Sequence, residues 1–286
     1  MQNHLLLIDP QNDFCDLPAS AYSELNAGAG PALPVAGAHQ DMLRVAALIE
    51  QAGAGLTDIT ITLDSHQHFD IGHPSFWRHA DGTAVSPFTQ VTADEVRAGR
   101  IVPRRAELVA RVLQYLEALE SRGRYRHMVW PVHCEIGTWG HNVHASVRRA
   151  YNQWEEAYDA SVAKVLKGKN PYTEHYSAVQ AEVPDPGDSE TDVNRELLTS
   201  LEAADRVYIA GEASSHCVKS TVEHIVQFLS PTQRKNLALL SDCMSPVSGF
   251  EAQARSFLDT MRQAGVRLLG AAEAIAELRR ERGARV

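Results

Sequence analysis

Short apolar runs alternate with amphipathic stretches along this chain, a pattern typical of strands separated by helices. The first run, HLLLID at 4–9, stays apolar until it reaches a carboxylate, as expected for a strand buried on both faces. The next stretch, DMLRVAALIEQAG at 41–53, has helical periodicity and ends at a glycine that suits a helix C-terminus. Further strands are predicted at 58–64, 126–133, 161–168, 206–212, 236–242 and 266–270, and further helices at 106–123, 194–205, 217–229, 251–265 and 271–283. The alternation predicts a parallel sheet covered by helices on both faces.

Three long stretches interrupt this rhythm. Residues 15–39 are rich in Ala, Gly and Pro, residues 66–88 in His and aromatic side chains, and residues 182–194 in acids and proline. Loops of this length are usually functional or disordered. The 286 residues contain no internal repeat and predict one large domain, or one domain with a small subdomain.

Charge and cysteine content narrow the function. The formal net charge is -9 and no Lys/Arg run interrupts it, which argues against binding to nucleic acid or an anionic membrane. The opening apolar run is too short for a signal-peptide core, and no stretch reaches the roughly 18 apolar residues of a membrane span. The four cysteines are scattered rather than paired, which predicts a reducing, cytoplasmic setting.

Chemically active side chains lie where the predicted strands end. In an open α/β sheet, ligands bind beyond the carboxyl ends of the strands. Turn residues would suffice at these positions, but the sequence has acids, bases and a thiol there: Asp9, Asp64, His133, Lys167, the segment GEASSHC at 211–217, and Asp242. We therefore expect a catalytic site at this edge of the sheet.

Cys217 follows a strand and opens a predicted helix. A helix N-terminus lowers the pKa of a thiol, and a strand–turn–helix geometry supplies backbone N–H groups for an oxyanion hole. Lys167 and Asp9 are its natural neighbours, because a lysine stabilises a thiolate and a carboxylate can accept the thiol proton. The alternative is that Cys217 is a small buried residue at a helix start.

A metal site is a second expectation. Asp64 and His66 end one strand and His133 ends another, and one carboxylate with two imidazoles suits zinc, iron or manganese. His73 is left open as a further ligand, whereas His68 and His79 are interpreted as ordinary surface or core residues. Cys134 follows His133 directly, and adjacent side chains on a strand point to opposite faces, so Cys134 is predicted to be a structural thiol.

Five segments together resemble the nicotinamidase branch of the isochorismatase-like cysteine hydrolases. They occur in the family's order and cover the chain from residue 5 to about residue 245: LLLIDPQNDFCD (5–16), DSH…GHPSFW (64–77), WPVHCEIGTWG (130–140), KGKNPYTEHYSA (167–178) and GEASSHCVKSTVEH (211–224). The resemblance implies a three-layer αβα sandwich around a mostly parallel six-stranded sheet. It implies a single domain over 1–286, with loop insertions near 15–39, 66–100, 140–160 and 182–194.

The resemblance also implies a catalytic apparatus. An Asp–Lys–Cys triad maps onto Asp9, Lys167 and Cys217. A non-proline cis peptide falls at Glu212–Ala213 and aims the Ala213 N–H, together with that of Cys217, at the oxyanion.

The remaining implied residues bind metal and substrate. A divalent metal, commonly zinc or iron, is held by Asp64, His66 and His133, and His73 falls near the family's further metal-site histidine at a slightly stretched spacing. Phe14 and Trp130 match the aromatic residues that sandwich the pyridine ring.

The predicted reaction is hydrolysis of nicotinamide to nicotinate and ammonia through a cysteine thioester. The family has an apolar residue and a TDYC-like turn where this chain has GEASSHC, so another small amide or ureido compound stays an alternative substrate. Isochorismatases lack the metal set, which disfavours vinyl ether hydrolysis, and a non-catalytic binding protein would be favoured by loss of the triad. The expected partner is a small-molecule amide, and a homo-oligomer stays open because the family often forms dimers or larger assemblies.

Overall fold

The protein is described by a computed structural model over residues 1–22 and 30–283. The strands are β1 (Asn3–Ile8), β2 (Asp58–Asp64), β3 (Trp77–His79), β4 (Thr89–Val91), β5 (Ile101–Pro103), β6 (His127–Val129), β7 (Ala163–Lys167), β8 (Arg206–Gly211), β9 (Leu237–Leu240) and β10 (Arg267–Leu269). The α-helices are α1 (Ala38–Ala52), α2 (Ala93–Arg97), α3 (Val109–Arg122), α4 (Ala145–Tyr158), α5 (Arg195–Glu202), α6 (Cys217–Phe228), α7 (Pro231–Arg234), α8 (Glu251–Gln263) and α9 (Ala271–Gly283). None of the described helices is both long and apolar enough to cross a membrane.

Six strands form the central sheet in the order β10-β9-β8-β1-β2-β7. Every pairing is parallel, so the sheet is wholly rather than mostly parallel. Strand β1 is buried along its whole length and lies between β2 and β8, with Leu5 opposite both Ile59 and Tyr208. The predicted six-stranded α/β sheet is confirmed.

Helices cover both faces of this sheet. The connection from β1 to β2 through α1 and the connection from β8 to β9 through α6 cross the sheet in opposite directions. Parallel crossovers are right-handed, so α1 and α6 lie on opposite faces. Helices α4 and α9 pack against α1, and α8 packs against α6, which completes the two outer layers.

The strand predicted at 126–133 is wrong in its extent and position. It ends at Val129 and pairs antiparallel with β4, outside the central sheet. Trp130 donates its N–H to Gly72 O at 2.7 Å instead of continuing the ladder, and Pro131 has no N–H to donate. His133 therefore lies on a loop rather than at a strand end.

Two of the expected loops contain regular structure. Residues 66–100 include β3, β4 and α2, and together with α3 they enclose a second core that contains Phe76, Trp77 and Leu116. Residues 140–160 are mostly the helix α4, which was missed although Val147, Ala150, Tyr151 and Trp154 form a buried stripe at helical spacing.

The other two expected loops are largely irregular. Residues 182–194 contain a short 3-10 turn at Ser189–Thr191. The loop at 15–39 is described apart from residues 23–29, which lie outside the described residues.

Candidate active site

Asp9, Lys167 and Cys217 meet at the carboxyl edge of the sheet. Asp9 follows β1, Lys167 ends β7 and Cys217 begins α6, so three separate elements bring them together. Lys167 Nζ lies 2.9 Å from Asp9 Oδ2 and 3.6 Å from Cys217 Sγ. All three side chains are buried, with Cys217 6% exposed. The structure thus brings together the three residues of the predicted triad.

The expected low pKa of Cys217 is wrong for this arrangement. Burial raises the pKa of the thiol well above its usual value, and the nearby Lys167 ammonium only partly offsets this. Asp9, which hydrogen bonds to the thiol, raises it further. Because the pKa of the thiol is raised, the resting thiol keeps its proton and needs a base.

Asp9 is placed to be that base. Its Oδ1 accepts a hydrogen bond of 2.6 Å from Thr62 Oγ1, which fixes the carboxylate. Burial raises the pKa of the Asp9 carboxyl, while the charge of Lys167 opposes the rise. A carboxylate whose proton affinity is raised, in contact with a thiol, can exchange a proton with it.

Asp64 joins the triad to a histidine cluster. Its Oδ1 accepts a 2.9 Å hydrogen bond from Lys167 Nζ. Its Oδ2 lies 3.1 Å from His66 Nε2 and 3.4 Å from His133 Nε2. Burial opposes ionisation of Asp64, but the charges of His66 and Lys167 outweigh it and hold its pKa well below the usual range. Nothing in the sequence pattern predicted that this carboxylate would serve both halves of the site.

Three buried histidines form a group that suits a metal ion. Ring nitrogens of His66, His73 and His133 all lie within 4.8 Å of one another. Nδ1 of His133 donates to Pro131 O at 2.8 Å, which fixes the orientation of the ring. Nδ1 of His73 is buried without a hydrogen-bond partner among the described residues. The donor set fits a divalent transition metal.

The surrounding residues fit the same interpretation. Asp70 Oδ2 lies 3.2 Å from His66 Nδ1, as in the carboxylate–histidine pairs that orient metal ligands. The geometry places the undecided His73 in the cluster. His68 instead faces solvent beside Glu135, and His79 lies on β3.

A small cavity opens between the predicted triad and the histidine cluster. It is lined by residues from both, with aromatic side chains on its walls: Phe14, Leu33, Asp64, Trp130, His133, Glu174, Tyr176, Ala213, His216, Cys217 and Val247. Phe14 and Trp130, the predicted ring-binding pair, therefore share one cavity with Cys217. Trp130 is held by a 3.0 Å hydrogen bond from its Nε1 to Tyr176 OH.

The turn before Cys217 carries two free backbone donors. The predicted cis peptide is present between Glu212 and Ala213. The N–H groups of Ala213 and Cys217 donate no hydrogen bond to any described residue. Unpaired N–H groups beside a nucleophile are available to a developing oxyanion.

Cys134 does not join the triad. Its backbone N–H donates to Asp13 Oδ2 at 2.7 Å, its φ is 46°, and it lies in a loop rather than on a strand. The strand argument used to separate it from His133 is therefore wrong, although the thiol is fully buried as predicted. Burial raises the pKa of Cys134 well above its usual value.

Sequence reasoning missed five residues of the cavity wall: the apolar Leu33 and Val247, and the polar Glu174, Tyr176 and His216. Burial raises the pKa of Glu174 to about 8, and its Oε2 has no hydrogen-bond partner among the described residues. Burial lowers the pKa of His216 to about 3, so this ring is neutral and packs among Tyr125, Trp130, Tyr176 and Phe250. For the three polar residues, position next to Lys167 and Cys217 in the sequence was the available signal.

No family model and no curated protein sequence matches the chain. Its fold does resemble solved nicotinamidase structures. An Acinetobacter baumanii nicotinamidase/pyrazinamidase superposes with a TM-score of 0.61 at 20% identity, covering 95% of this chain and 97% of that one. A yeast nicotinamidase bound to the inhibitor nicotinaldehyde gives a TM-score of 0.63 at 18% identity, covering 94% and 100%. A Pyrococcus horikoshii pyrazinamidase in complex with zinc gives 0.52 at 18% identity, covering 94% and 99%. The chain therefore has the fold of these nicotinamidases, as the sequence resemblance implied.

Proposed function

We propose that this protein is a metal-assisted cysteine amidohydrolase that converts nicotinamide to nicotinate and ammonia. The observation that carries the proposal is the contact of Lys167 with both Asp9 and Cys217, together with one cavity that is lined by Cys217 and by His133 of the histidine cluster. The resemblance to a yeast nicotinamidase bound to nicotinaldehyde supports a pyridine amide as the substrate.

The reaction begins with a proton transfer. Asp9 takes the thiol proton, and Cys217 Sγ attacks the amide carbonyl carbon. The charge moves to the carbonyl oxygen, where the N–H groups of Ala213 and Cys217 stabilise it, a type of contribution worth about 3–4 kcal/mol per donor. Lys167 compensates the charge that the thiolate creates in a buried site.

Collapse of the adduct breaks the carbon–nitrogen bond. Asp9 returns its proton to the leaving nitrogen, and ammonia departs from a thioester on Cys217. Water then cleaves the thioester with Asp9 as the base, which releases nicotinate and restores the thiol. Phe14 and Trp130 hold the ring and exclude solvent.

A divalent metal would be held by His66, His73, His133 and Asp64. When bound, such an ion supplies a Lewis acid and an activated water. Zinc is supported by the zinc complex of the Pyrococcus horikoshii pyrazinamidase.

The neutral His216 in the cavity wall favours a second candidate, hydrolysis of another small amide or ureido compound. The His216 ring adds polar atoms to the GEASSHC turn, which differs from the TDYC-like turn of the nicotinamidase family. Both candidates use the same nucleophile, so a panel of substrates separates them.

The test is ammonia release from nicotinamide and a panel of small amides. We expect release by wild type and by Cys134→Ala, because the hydrogen bonds of Cys134 to Asp13 and His66 use its backbone and not its thiol, and none by Cys217→Ala. Release that survives Cys217→Ala would refute the thiol mechanism. Release from another panel member alone would replace nicotinamide as the substrate.

A further inference from the structure

Two buried carboxyl groups lie in contact behind the nucleophile turn. Glu212 is fully buried and Asp41 of α1 is 4% exposed. Ser245 bridges their side chains, because its N–H donates to Glu212 Oε2 at 3.1 Å and its Oγ to Asp41 Oδ2 at 2.6 Å. A hydrogen bond between two carboxyl groups held side by side in this way requires a proton. Neither group takes part in the proposed reaction. Like charges in contact within a buried site cannot both ionise, so the pair holds one proton at neutral pH.

The hydrogen bonds around the pair assign that proton to Glu212. Both oxygens of Asp41 already accept: Oδ1 from Arg44 Nη1 at 2.9 Å and Oδ2 from Ser245 Oγ at 2.6 Å. Glu212 Oε2 accepts from Ser245 N at 3.1 Å. Glu212 Oε1 is buried and receives no N–H or O–H from the described residues. This oxygen is therefore the one that carries the proton and donates it to Asp41.

The charges nearby act in the same direction. Burial, the charge of Asp41 and, more weakly, that of Asp16 raise the pKa of Glu212 well above its usual value. Burial also raises the pKa of Asp41, but Ser245 and Arg44 oppose the rise. Burial raises the pKa of the nearby Cys15 thiol well above its usual value, so this group is neutral as well.

Ser245 connects this pair to the catalytic cavity. The loop at 243–247 is bound to the turn at 211–217 by further hydrogen bonds: Gly211 N to Cys243 O at 3.0 Å, Ser214 N to Ser245 O at 2.9 Å, and Val247 N to Ser215 Oγ at 3.1 Å. Val247 lines the cavity, and the turn carries the free donors of Ala213 and Cys217. Glu212 is the residue whose side chain joins turn, loop and helix α1.

We propose that protonated Glu212 is a positioning residue that holds the oxyanion turn against the 243–247 loop, and that its ionisation at alkaline pH displaces the turn and lowers activity. The inference rests on the proposed function, because it assigns the turn to the oxyanion. An ionised Glu212 would face the ionised Asp41 with no proton between them, so the contact would become repulsive.

The first experiment compares Glu212→Gln, Glu212→Leu and wild type by the pH dependence of kcat. Glutamine keeps a neutral donor and acceptor at every pH, so Glu212→Gln should lack the alkaline loss of activity attributable to this group. Leucine cannot bind Ser245 or Asp41, so kcat should fall at least about tenfold with little change in KM, because small misplacements can cost about a hundredfold. Identical alkaline limbs in wild type and Glu212→Gln would overturn the proposal.

The matched control is Glu182→Gln. Glu182 is also buried, and burial raises its pKa, but it contacts Arg124 and Ser220 rather than the turn. Its substitution should leave the alkaline limb of kcat as in wild type. A limb that moves equally in both glutamine variants would show a general effect of buried acids and would overturn the specific role of Glu212.

Two readouts need no substrate. The infrared difference spectrum of wild type minus Glu212→Gln should contain a protonated carboxyl band at neutral pH. The rate of Cys217 alkylation by iodoacetamide should have an alkaline step in wild type that Glu212→Gln lacks. Absence of both would overturn the inference even if amides are hydrolysed. If no amide is hydrolysed but both are seen, the proposed function fails and the positioning of the turn by Glu212 stands.

Discussion

Asp9, Lys167 and Cys217 lie at the edge of a regular parallel sheet, whereas His73 and His133 lie on loops outside that sheet. We refer to the first three residues as the triad and to His66, His73 and His133 as the histidine group. Buried backbone ladders fix the strand ends that carry Asp9 and Lys167, and Cys217 begins α6. The histidine group depends on loop contacts such as that between His133 Nδ1 and Pro131 O.

The two groups differ in what holds them in place. The triad is held by the ion pairs of Lys167 with Asp9 and Asp64, which form without a ligand. The ring nitrogens of the histidine group lie within 4.8 Å of one another, a spacing that one metal ion would fit. We therefore expect substitutions in the triad to reduce both the stability of the fold and the catalytic activity. Substitutions in the histidine group should reduce metal binding first.

Lys167→Met should have the largest effect. It leaves Asp9 and Asp64 buried without their cation, and breaking a buried ion pair in this way costs about 3–5 kcal/mol. Urea unfolding should show that loss, and ammonia release should cease. The matched control is Lys164→Met on the same strand, because Lys164 is exposed and contacts the Tyr151 ring instead. Equal stability of the two variants would contradict the role of Lys167 in holding the triad together.

His73→Ala should have an intermediate effect that is confined to the metal. We expect metal affinity to fall by at least about ten- to hundredfold, the range that supporting residues alone produce, with a small change in unfolding free energy. Competition with a chromogenic chelator measures this, with His68→Ala as the exposed control. Cys217→Ala should bind metal as wild type does. Unchanged affinity in His73→Ala would remove this residue from the histidine group.

The pH dependence of stability should give the smallest effect, and it sharpens the same comparison. The pKa of Asp64 is lowered in the folded protein, so its contribution is present above its unfolded pKa of about 3.9 and is lost as pH falls through the folded pKa. Glu212 acts oppositely, because its folded pKa is raised: its contribution is complete below its unfolded pKa of about 4.3 and is lost as pH rises.

Urea midpoints of chelator-treated protein between acid and alkaline pH measure both trends. Glu212→Gln should remove the decline on the alkaline side and leave the acid side unchanged. An alkaline decline of the same size in Glu212→Gln would show that another group causes it.

The same contrast explains what the sequence could predict. Asp9, Lys167 and Cys217 could be found because buried strands have a readable pattern and their carboxyl ends meet at one edge. His133 was assigned to a strand end that the chain does not have, because Pro131 and the Trp130–Gly72 hydrogen bond stop the ladder. Loop histidines have no period, which is why His73 stayed open.

Contacts between distant segments had no local signal at all. Glu212 and Asp41 come together only because α1 packs beside the end of β8, and the helix α4 was hidden in a segment interpreted as a loop. The fold could thus be predicted from periodicity, whereas these buried pairs depend on tertiary packing.

The most direct test of the central claim is the site of the covalent intermediate. Wild type mixed with nicotinamide and quenched with acid should yield a nicotinoyl adduct on the peptide that contains Cys217, detected by mass spectrometry, and unmodified Cys134. Ammonia release with no adduct on Cys217 under rapid quenching, or an adduct on Cys134, would contradict the assignment of the nucleophile to the sheet edge.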